Sequence, residues 1–454
     1  MAVGFIGIIV AMLLFVFLVY RGWSVFYVAP LCVLLIAVSN GLNPIEALTN
    51  TFVGGITDTV KQLFWVIFLG AILGKLYGDT GAAASVTNTL MKKFVLPYEG
   101  EKRIRRAMLV IVIVTLLLTY GGIDAFILCF LMFPLNRSIA KQLNIPRRLI
   151  PAMLCTAAIV MGGPGAPQFN NILATQILHL PPTAGLIPGL IAIVIGEIGI
   201  YFVLTRTVLK AIARGETYDD GPLPPMEEES ERKLPNFWLC LIPPALVIVL
   251  YTFLQLHIII ALTVSIISAL IFLGSHISRE AFFPGKKLNL YNSFIRTLNV
   301  GAETYPNPII AVTTPAGVAM VVTSTAAFGA LVGMLSGLQI HPLLLTFIFV
   351  VVFVALTSSP PATLMVALPV LAGMFLAGEG VPMVAPGALA RVAALTTTTW
   401  ETLPFNGLIT LTCTIMAKTS LKESYKPIFW QTVIWPTIGS IVALGLFILV
   451  PGLG

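Results

Sequence analysis

Three acidic residues, Asp124, Glu197 and Glu401, stand inside long apolar stretches of the chain. A charge at the centre of a bilayer costs roughly 3 kcal/mol or more, so a carboxyl placed there is expected to move a proton or to help hold a cation. Asp124 follows Thr119-Tyr120-Gly121-Gly122, and Glu401 lies within Thr396-Thr397-Thr398-Thr399-Trp400-Glu401-Thr402. These two are the expected coupling residues. Asp124 also suits the N-cap of a helix beginning after it. Glu197 lies in the unbroken run Ile195-Gly196-Glu197-Ile198-Gly199 and ranks third, as a protonated group at a helix contact.

Two more interruptions resemble those around the carboxyls. One is Met161-Gly162-Gly163-Pro164-Gly165-Ala166-Pro167, followed by Gln168, Asn170 and Asn171; the other is Thr357-Ser358-Ser359-Pro360-Pro361. Unwound backbone inside a membrane is tolerated only where protein buries it or a cavity solvates it. The candidate substrate site is therefore Thr119, Tyr120, Gly121, Gly122, Gly162, Gly163, Gln168, Asn170, Asn171, Thr357, Ser358, Ser359, Thr396, Thr397, Thr398, Thr399, Thr402 and Asn406. Half-helices that start after these breaks would point free N–H groups and the positive end of their dipoles at a shared cavity. No Lys or Arg lies in any break, so an anion would be held by backbone amides and neutral side chains. The competing reading is structural: Gly and Pro serve close helix packing, and Ser and Thr bond to their own helix.

These residues need a membrane scaffold to position them. The chain has 454 residues, 57% hydrophobic and only 10% charged, against roughly 25% charged in a soluble domain. That excludes an ordinary soluble enzyme, a disordered chain and a nucleic-acid binder. Apolar runs near the bilayer-spanning length of about 20 residues cover 4–20, 24–39, 62–78, 184–206, 236–254, 256–274, 308–336 and 427–450. The first reads as an uncleaved membrane helix, because no basic residue precedes it and Arg21 follows it. Segments 107–137 and 345–375 each hold two shorter apolar pieces, which suits re-entrant hairpins. Segments 150–180 and 386–418 read as spans with unwound centres. The expected fold is an all-α polytopic membrane protein of ten spans and two hairpins.

The two halves match each other. Thr80–Leu90 aligns with Thr325–Leu335, Leu118-Thr119 with Leu356-Thr357, and Phe169-Asn170 with Phe405-Asn406, at offsets of 245, 238 and 236. This implies repeats at 1–206 and 236–454, joined by a solvated linker at 207–235. Five spans per repeat is an odd number, so the second repeat is inverted; inverted repeats with broken midplane helices mark secondary transporters. The topology places all the Lys and Arg on one side except Lys61 and Arg391, that is 24 of 26. The basic side is cytoplasmic, which leaves both termini outside. Segments 44–60 and 290–305 are expected to lie along the interface or to act as arms.

The stretch Gly70-Ala-Ile-Leu-Gly-Lys-Leu-Tyr-Gly-Asp-Thr-Gly-Ala-Ala-Ala84 resembles the gluconate:proton symporter family of the ion transporter superfamily, as do the segments around 119–135 and 162–171. The resemblance implies an elevator-type carrier, usually a homodimer, with a scaffold and a mobile domain that holds both hairpins. It also implies small hydroxylated or carboxylated anions taken up with protons into a bacterial cytoplasm. The break at 161–168 departs from the His- and Pro-rich break of gluconate permeases, which points to a smaller or less hydroxylated acid. Sodium coupling and a cation:proton antiporter stay open as alternatives. No cofactor or metal is expected: His179, His257, His276 and His341 form no ligand spacing, and the five cysteines read as small hydrophobes. There is no His-Asp pair and no Gly-x-Ser-x-Gly elbow, so an intramembrane enzyme is disfavoured.

Overall fold

A computed structural model describes residues 2–454 apart from 22, 24, 224–232, 280–287, 337–339, 377–382 and 405. The described residues form helices and connecting turns. The first half begins with α1 (Ala2–Tyr20) and α2 (Val25–Ser39), both apolar on every side, as a helix immersed in lipid or protein must be. The Asn43 side chain accepts from Ile45 N and Glu46 N and so starts α3 (Pro44–Glu46). A π-helical turn joins α3 to α4 (Val53–Asp79), and the run bends by 53° between Pro44–Lys61 and Leu63–Asp79. After Gly81 come α5 (Ala82–Phe94), α6 (Gly100–Tyr120) and α7 (Ala125–Gln142). The last two form the first hairpin. Next come α8 (Ile150–Leu154), an irregular segment with one 3-10 turn, α9 (Phe169–Ile177) and α10 (Leu186–Ala213).

The second half is also built of helices and short turns. The pair α11 (Phe237–Val247) and α12 (Ile258–Leu273) comes first, with Pro243 and Pro244 inside α11 and a π-helical stretch after it. Then follow α13 (Leu290–Thr304), α14 (Pro306–Thr323) and α15 (Ala326–Ser336). The second hairpin is α16 (Pro342–Thr357) and α17 (Pro360–Phe375). The second broken helix is α18 (Pro386–Thr397) followed by α19 (Gly407–Thr410), which runs on into a π-helical turn. The chain closes with α20 (Leu421–Phe429), a π-helical turn and α21 (Trp435–Leu449). The sequence matches fall at like points. Thr80 and Thr325 precede α5 and α15, Thr119 lies at the end of α6 and Thr357 ends α16, and Phe169 opens α9. Asn406 caps α19; Phe405 lies outside the described residues.

Small residues let the helices close on one another. A methyl group added at Gly199 would fall within 1.9 Å of Trp435, and one at Gly439 within 2.6 Å of the Ala192 carbonyl, so α10 and α21 cross at glycines from both sides. Gly55 meets Met320 and Gly317 meets Phe52 where α4 and its entry turn cross α14.

Two expectations need adjustment. By length and composition, Leu186–Ala213, Ile258–His276 and Leu421–Leu449 can each cross a membrane, with the bent Pro44–Asp79 run as a fourth. Other apolar helices are shorter, such as Pro342–Ala355 and Pro360–Phe375, so helix length alone does not reach ten spans. Helix α10 also runs past residue 206 to Ala213, so the linker proper begins later.

Candidate functional site

Three of the four sequence breaks meet at one cavity of about 40 Å³. Thr115, Thr119, Ala125 and Leu128 of the first hairpin line it, with Cys155, Ala158 and Met161 of the first break. Glu401, Thr402 and Leu408 of the second break complete the wall, with Thr432. A cavity holds one water per roughly 10–15 Å³, so this one has room for a few waters and not for a sugar acid. Glu401 is buried, and so is Asp124, the residue before Ala125; the two lie close enough for their charges to act on each other. Ser358 and Ser359 are not in this wall. The second hairpin packs instead through α17 on α9 and α18.

Gln168 links the first tip to the first broken helix. Its buried Nε2 donates to the carbonyls of Thr119 at 2.7 Å and Ile123 at 3.1 Å, on either side of Tyr120-Gly121-Gly122. Gly122 has φ +86°, a left-handed turn that glycine adopts without strain. Asn170 Nδ2 donates to Thr397 Oγ1 at 3.0 Å and joins the two broken helices. Asn171 Nδ2 donates to the Ala166 carbonyl at 2.9 Å. The Oδ1 atoms of both asparagines are buried without a donor among the described residues. The N–H groups of Phe169, Asn170 and Asn171 open α9, and no acceptor takes them within the described residues. The α9 end therefore offers main-chain donors, which suit a carboxylate, and orphan acceptors, which suit a hydroxyl.

Other candidates follow the structural reading. The four threonine hydroxyls all donate to carbonyls of their own helix: Thr396 to Val392, Thr397 to Ala394, Thr398 to Leu395 and Thr399 to Thr396. Thr402 Oγ1 donates to Thr432 Oγ1. Gly162 lies against α18, where a methyl would come within 2.5 Å of the Ala394 carbonyl. Gly163 abuts Ile193 and the Tyr120 ring hydroxyl, and Gly121 abuts Pro244. Tyr120 Oη reaches the Pro164 carbonyl only at 3.5 Å.

The second tip does not present the free amides expected of it. Pro360 and Pro361 have no N–H to offer, and Ala362 N already donates to Ser359 Oγ. Ser358 turns the chain at φ +47°, and its Oγ has no partner among the described residues. The Thr357 side chain lies outside the described residues. The second break closes on itself as well: Asn406 Oδ1 accepts from Leu408 N, and its Nδ2 donates to the Glu401 carbonyl.

Arg391 is the residue that sequence reasoning missed. The charge count places it with Lys61 on the side away from the other basic residues; the structure buries it completely in α18. Its guanidinium donates to the carbonyls of Gly162 at 2.6 Å, Ala184 at 2.7 and 2.9 Å, and Pro182 at 3.2 Å. The signal was a lone arginine in the alanine-rich run Ala388-Leu389-Ala390-Arg391-Val392-Ala393-Ala394. Glu197 is also buried, and neither of its carboxyl oxygens has a partner among the described residues.

Away from the cavity, the linker is fastened by ion pairs. Arg137 meets Asp220 at 2.7 Å, Arg147 meets Asp219 at 3.3 Å and Arg148 meets Glu216 at 2.6 Å. Arg147 also donates to the carbonyls of Ala417 and Lys418, beyond the second broken helix. The hydrogen bonds from Arg137 and Tyr218 hold the Asp220 carboxyl below the usual carboxylate range.

Comparison with known proteins gives the arrangement its context. The GntP family permease profile matches residues 3–399. An uncharacterised transporter of Bacillus subtilis, YxjC, is 24% identical over 94% of this chain and 95% of its own. The high-affinity gluconate transporter of Escherichia coli is 28% identical over 53% of this chain and 52% of its own. A gluconate permease of Zymomonas mobilis is 26% identical over 48% of each. The crystal structure of the Alcanivorax borkumensis YdaH transporter superposes with a TM-score of 0.53 over 90% of both chains at 15% identity, which shows a shared fold.

Proposed function

Given that this chain belongs to the GntP family of permeases, and is thus an integral membrane transporter and not an enzyme, we propose that it carries a small hydroxylated or carboxylated organic anion by proton-coupled symport. The observation that carries this reading is the α9 end. Three amides without acceptors suit a carboxylate, and the orphan oxygens of Asn170 and Asn171 suit hydroxyl hydrogens. Binding by dispersed neutral groups is weak enough to be reversed at each cycle. The gluconate-named relatives support a sugar acid or a shorter hydroxy acid as cargo. Glu401, which lines the cavity, and Asp124, the residue before Ala125 of its wall, are the proposed coupling carboxyls. The paired order of elements supports inverted repeats of five spans and one hairpin each. In that scheme the hairpins and broken helices move together against the remaining helices, as in an elevator, within a homodimer in the bacterial cytoplasmic membrane with both termini outside.

Proteoliposomes test this. Labelled gluconate and shorter hydroxy acids are offered under an imposed pH gradient, then under a sodium gradient. Accumulation driven by the pH gradient is expected, and Asp124→Asn should abolish it while exchange persists. Accumulation driven by sodium alone would replace the proton with sodium. Sodium-driven proton flux with no carboxylate accumulated would sink the anion carrier in favour of a cation:proton antiporter.

A further inference from the structure

A second cleft lies far from the breaks, between the start of α6 and the end of α10. Its volume is about 720 Å³, and its walls include Arg105, Tyr201, Phe202, Thr205, Arg206 and Lys210. The two helices present matching stripes here. Along α10, residues four apart are surface neighbours, each turned about 40° from the last: Leu190, Val194, Ile198 and Phe202 are exposed large apolar side chains, and Arg206 and Lys210 continue the same winding ridge, also exposed. Along α6 the order from the cleft outward is Glu101, Arg105, Leu109 and Ile113, again four apart, with Leu109 and Ile113 exposed. Both stripes are therefore polar at the cleft and apolar beyond it. The twelve steps from Leu190 to Phe202 rise by about 18 Å at 1.5 Å each, close to the roughly 15 Å of one leaflet's hydrocarbon.

The polar end is a built site. Glu101 is paired with Arg105, which leaves Arg206 and Lys210 as surplus positive charge in the wall. Arg206 stacks over the Phe202 ring, 5.7 Å from its centroid. Thr205 is 2% exposed, and its hydroxyl has no partner among the described residues. A lone donor beside two cations suits phosphate oxygens, and the apolar stripes suit acyl chains. From this juxtaposition we propose that the cleft binds the headgroup of an anionic phospholipid, with its chains laid along α10 and α6. Free phosphate shares the headgroup chemistry but leaves the stripes uncovered. A second copy of this chain on the same face would cover the stripes and leave the cations facing each other.

Native mass spectrometry of the intact protein in detergent tests this with phosphatidylglycerol, phosphatidylcholine and inorganic phosphate as probes. Wild-type protein should retain phosphatidylglycerol several-fold better than phosphatidylcholine. Each basic residue near a lipid surface contributes about fivefold in binding, so Arg206→Gln with Lys210→Gln should cut that retention at least tenfold. Phosphatidylglycerol should raise the melting temperature of wild-type protein while millimolar phosphate does not; this arm needs no variant. Equal retention of both lipids, or retention unchanged in the double variant, overturns the proposal. So does stabilisation by phosphate alone, or a dimer that the double variant breaks while lipid retention persists.

Discussion

Between Cys155 and Gln168 the first broken helix passes through irregular chain that others hold in place, while between Thr398 and Asn406 the second ties its own ends together. In the first, amides and amide oxygens at the α9 end stay unsatisfied. In the second, each threonine hydroxyl of 396–399 goes to the carbonyl three or four residues back, and Asn406 caps α19. The same order of elements thus yields two kinds of break. The support runs mainly one way, because Arg391 and Thr397 of the second broken helix brace Gly162 and Asn170 of the first. A polar cradle that stays open for cargo needs a neighbour that spends its own polar groups on rigidity.

The largest test of this division is Arg391→Met. The change leaves the buried carbonyl of Gly162 and the part-buried carbonyl of Ala184 without donors among the described residues, while Pro182 keeps the Gly165 amide. Orphaning a buried acceptor costs about 1–3 kcal/mol, so the change should cost about 2 kcal/mol or more. Thermal unfolding in detergent should show a large drop, with Arg391→Lys recovering part of it. A melting temperature unchanged in Arg391→Met would mean that the first break supports itself.

Glycines offer a matched pair. A methyl at Gly162 would meet α18 backbone at 2.5 Å, whereas one at Gly407 would meet nothing within 4 Å. Overpacking of that kind costs about 1–3 kcal/mol, so Gly162→Ala should destabilise by that amount. Gly407→Ala should stay within about 0.5 kcal/mol of wild type. Equal costs measured by thermal unfolding would remove the asymmetry between the breaks.

Transport separates the breaks by side chain. Asn170→Leu removes an orphan acceptor at the proposed anion end together with the bond to Thr397, and should weaken apparent affinity by about tenfold. Thr398→Val removes a hydroxyl whose hydrogen is spent on Leu395, and should change uptake less than about twofold. Uptake kinetics with the best-transported acid measure both. A greater loss in Thr398→Val would return the threonine run to the binding site.

These contrasts mark what the sequence could and could not disclose. Hairpins, broken helices and the order of both halves were legible because Gly, Pro and polar residues interrupt apolar runs, and such interruptions have few backbone outcomes in a membrane. The hydrogen-bond partners were not legible. Thr396–Thr399 and Thr119 look alike in sequence, but only the tertiary packing sets Thr119 beside Glu401 at the cavity. Pro360 and Pro361 marked the second tip correctly and, by lacking N–H groups, also disarmed it. The role of Arg391 was not legible either, because a charge count gives it only a side of the membrane, whereas its partners are backbone carbonyls far along the chain.

The smallest effect sharpens the comparison from the cytoplasmic side proposed for the linker. There the linker, a strap, touches both halves, since Asp220 accepts from Arg137 of the first hairpin and the Pro222 carbonyl accepts from Lys418 beyond the second broken helix. Asp220 is the strap's contact with Arg137, and its carboxyl is held below the usual range by Arg137 and Tyr218. A lowered folded value means that the ionised form is favoured by folding. The contribution is therefore complete above the ordinary aspartate pKa of about 3.9 and fades as pH falls through the folded value. Because the Asp220 side chain is partly open to solvent, the effect should be slight and further weakened by salt. Thermal unfolding of wild type and Asp220→Asn should differ a little at pH 7 in low salt and converge below pH 4. A difference that persists in acid would show that Asp220 acts through something other than its ionised carboxylate, and no difference at pH 7 would leave the Tyr218 hydroxyl, which also accepts from Arg137 Nε, as the strap's hold on Arg137.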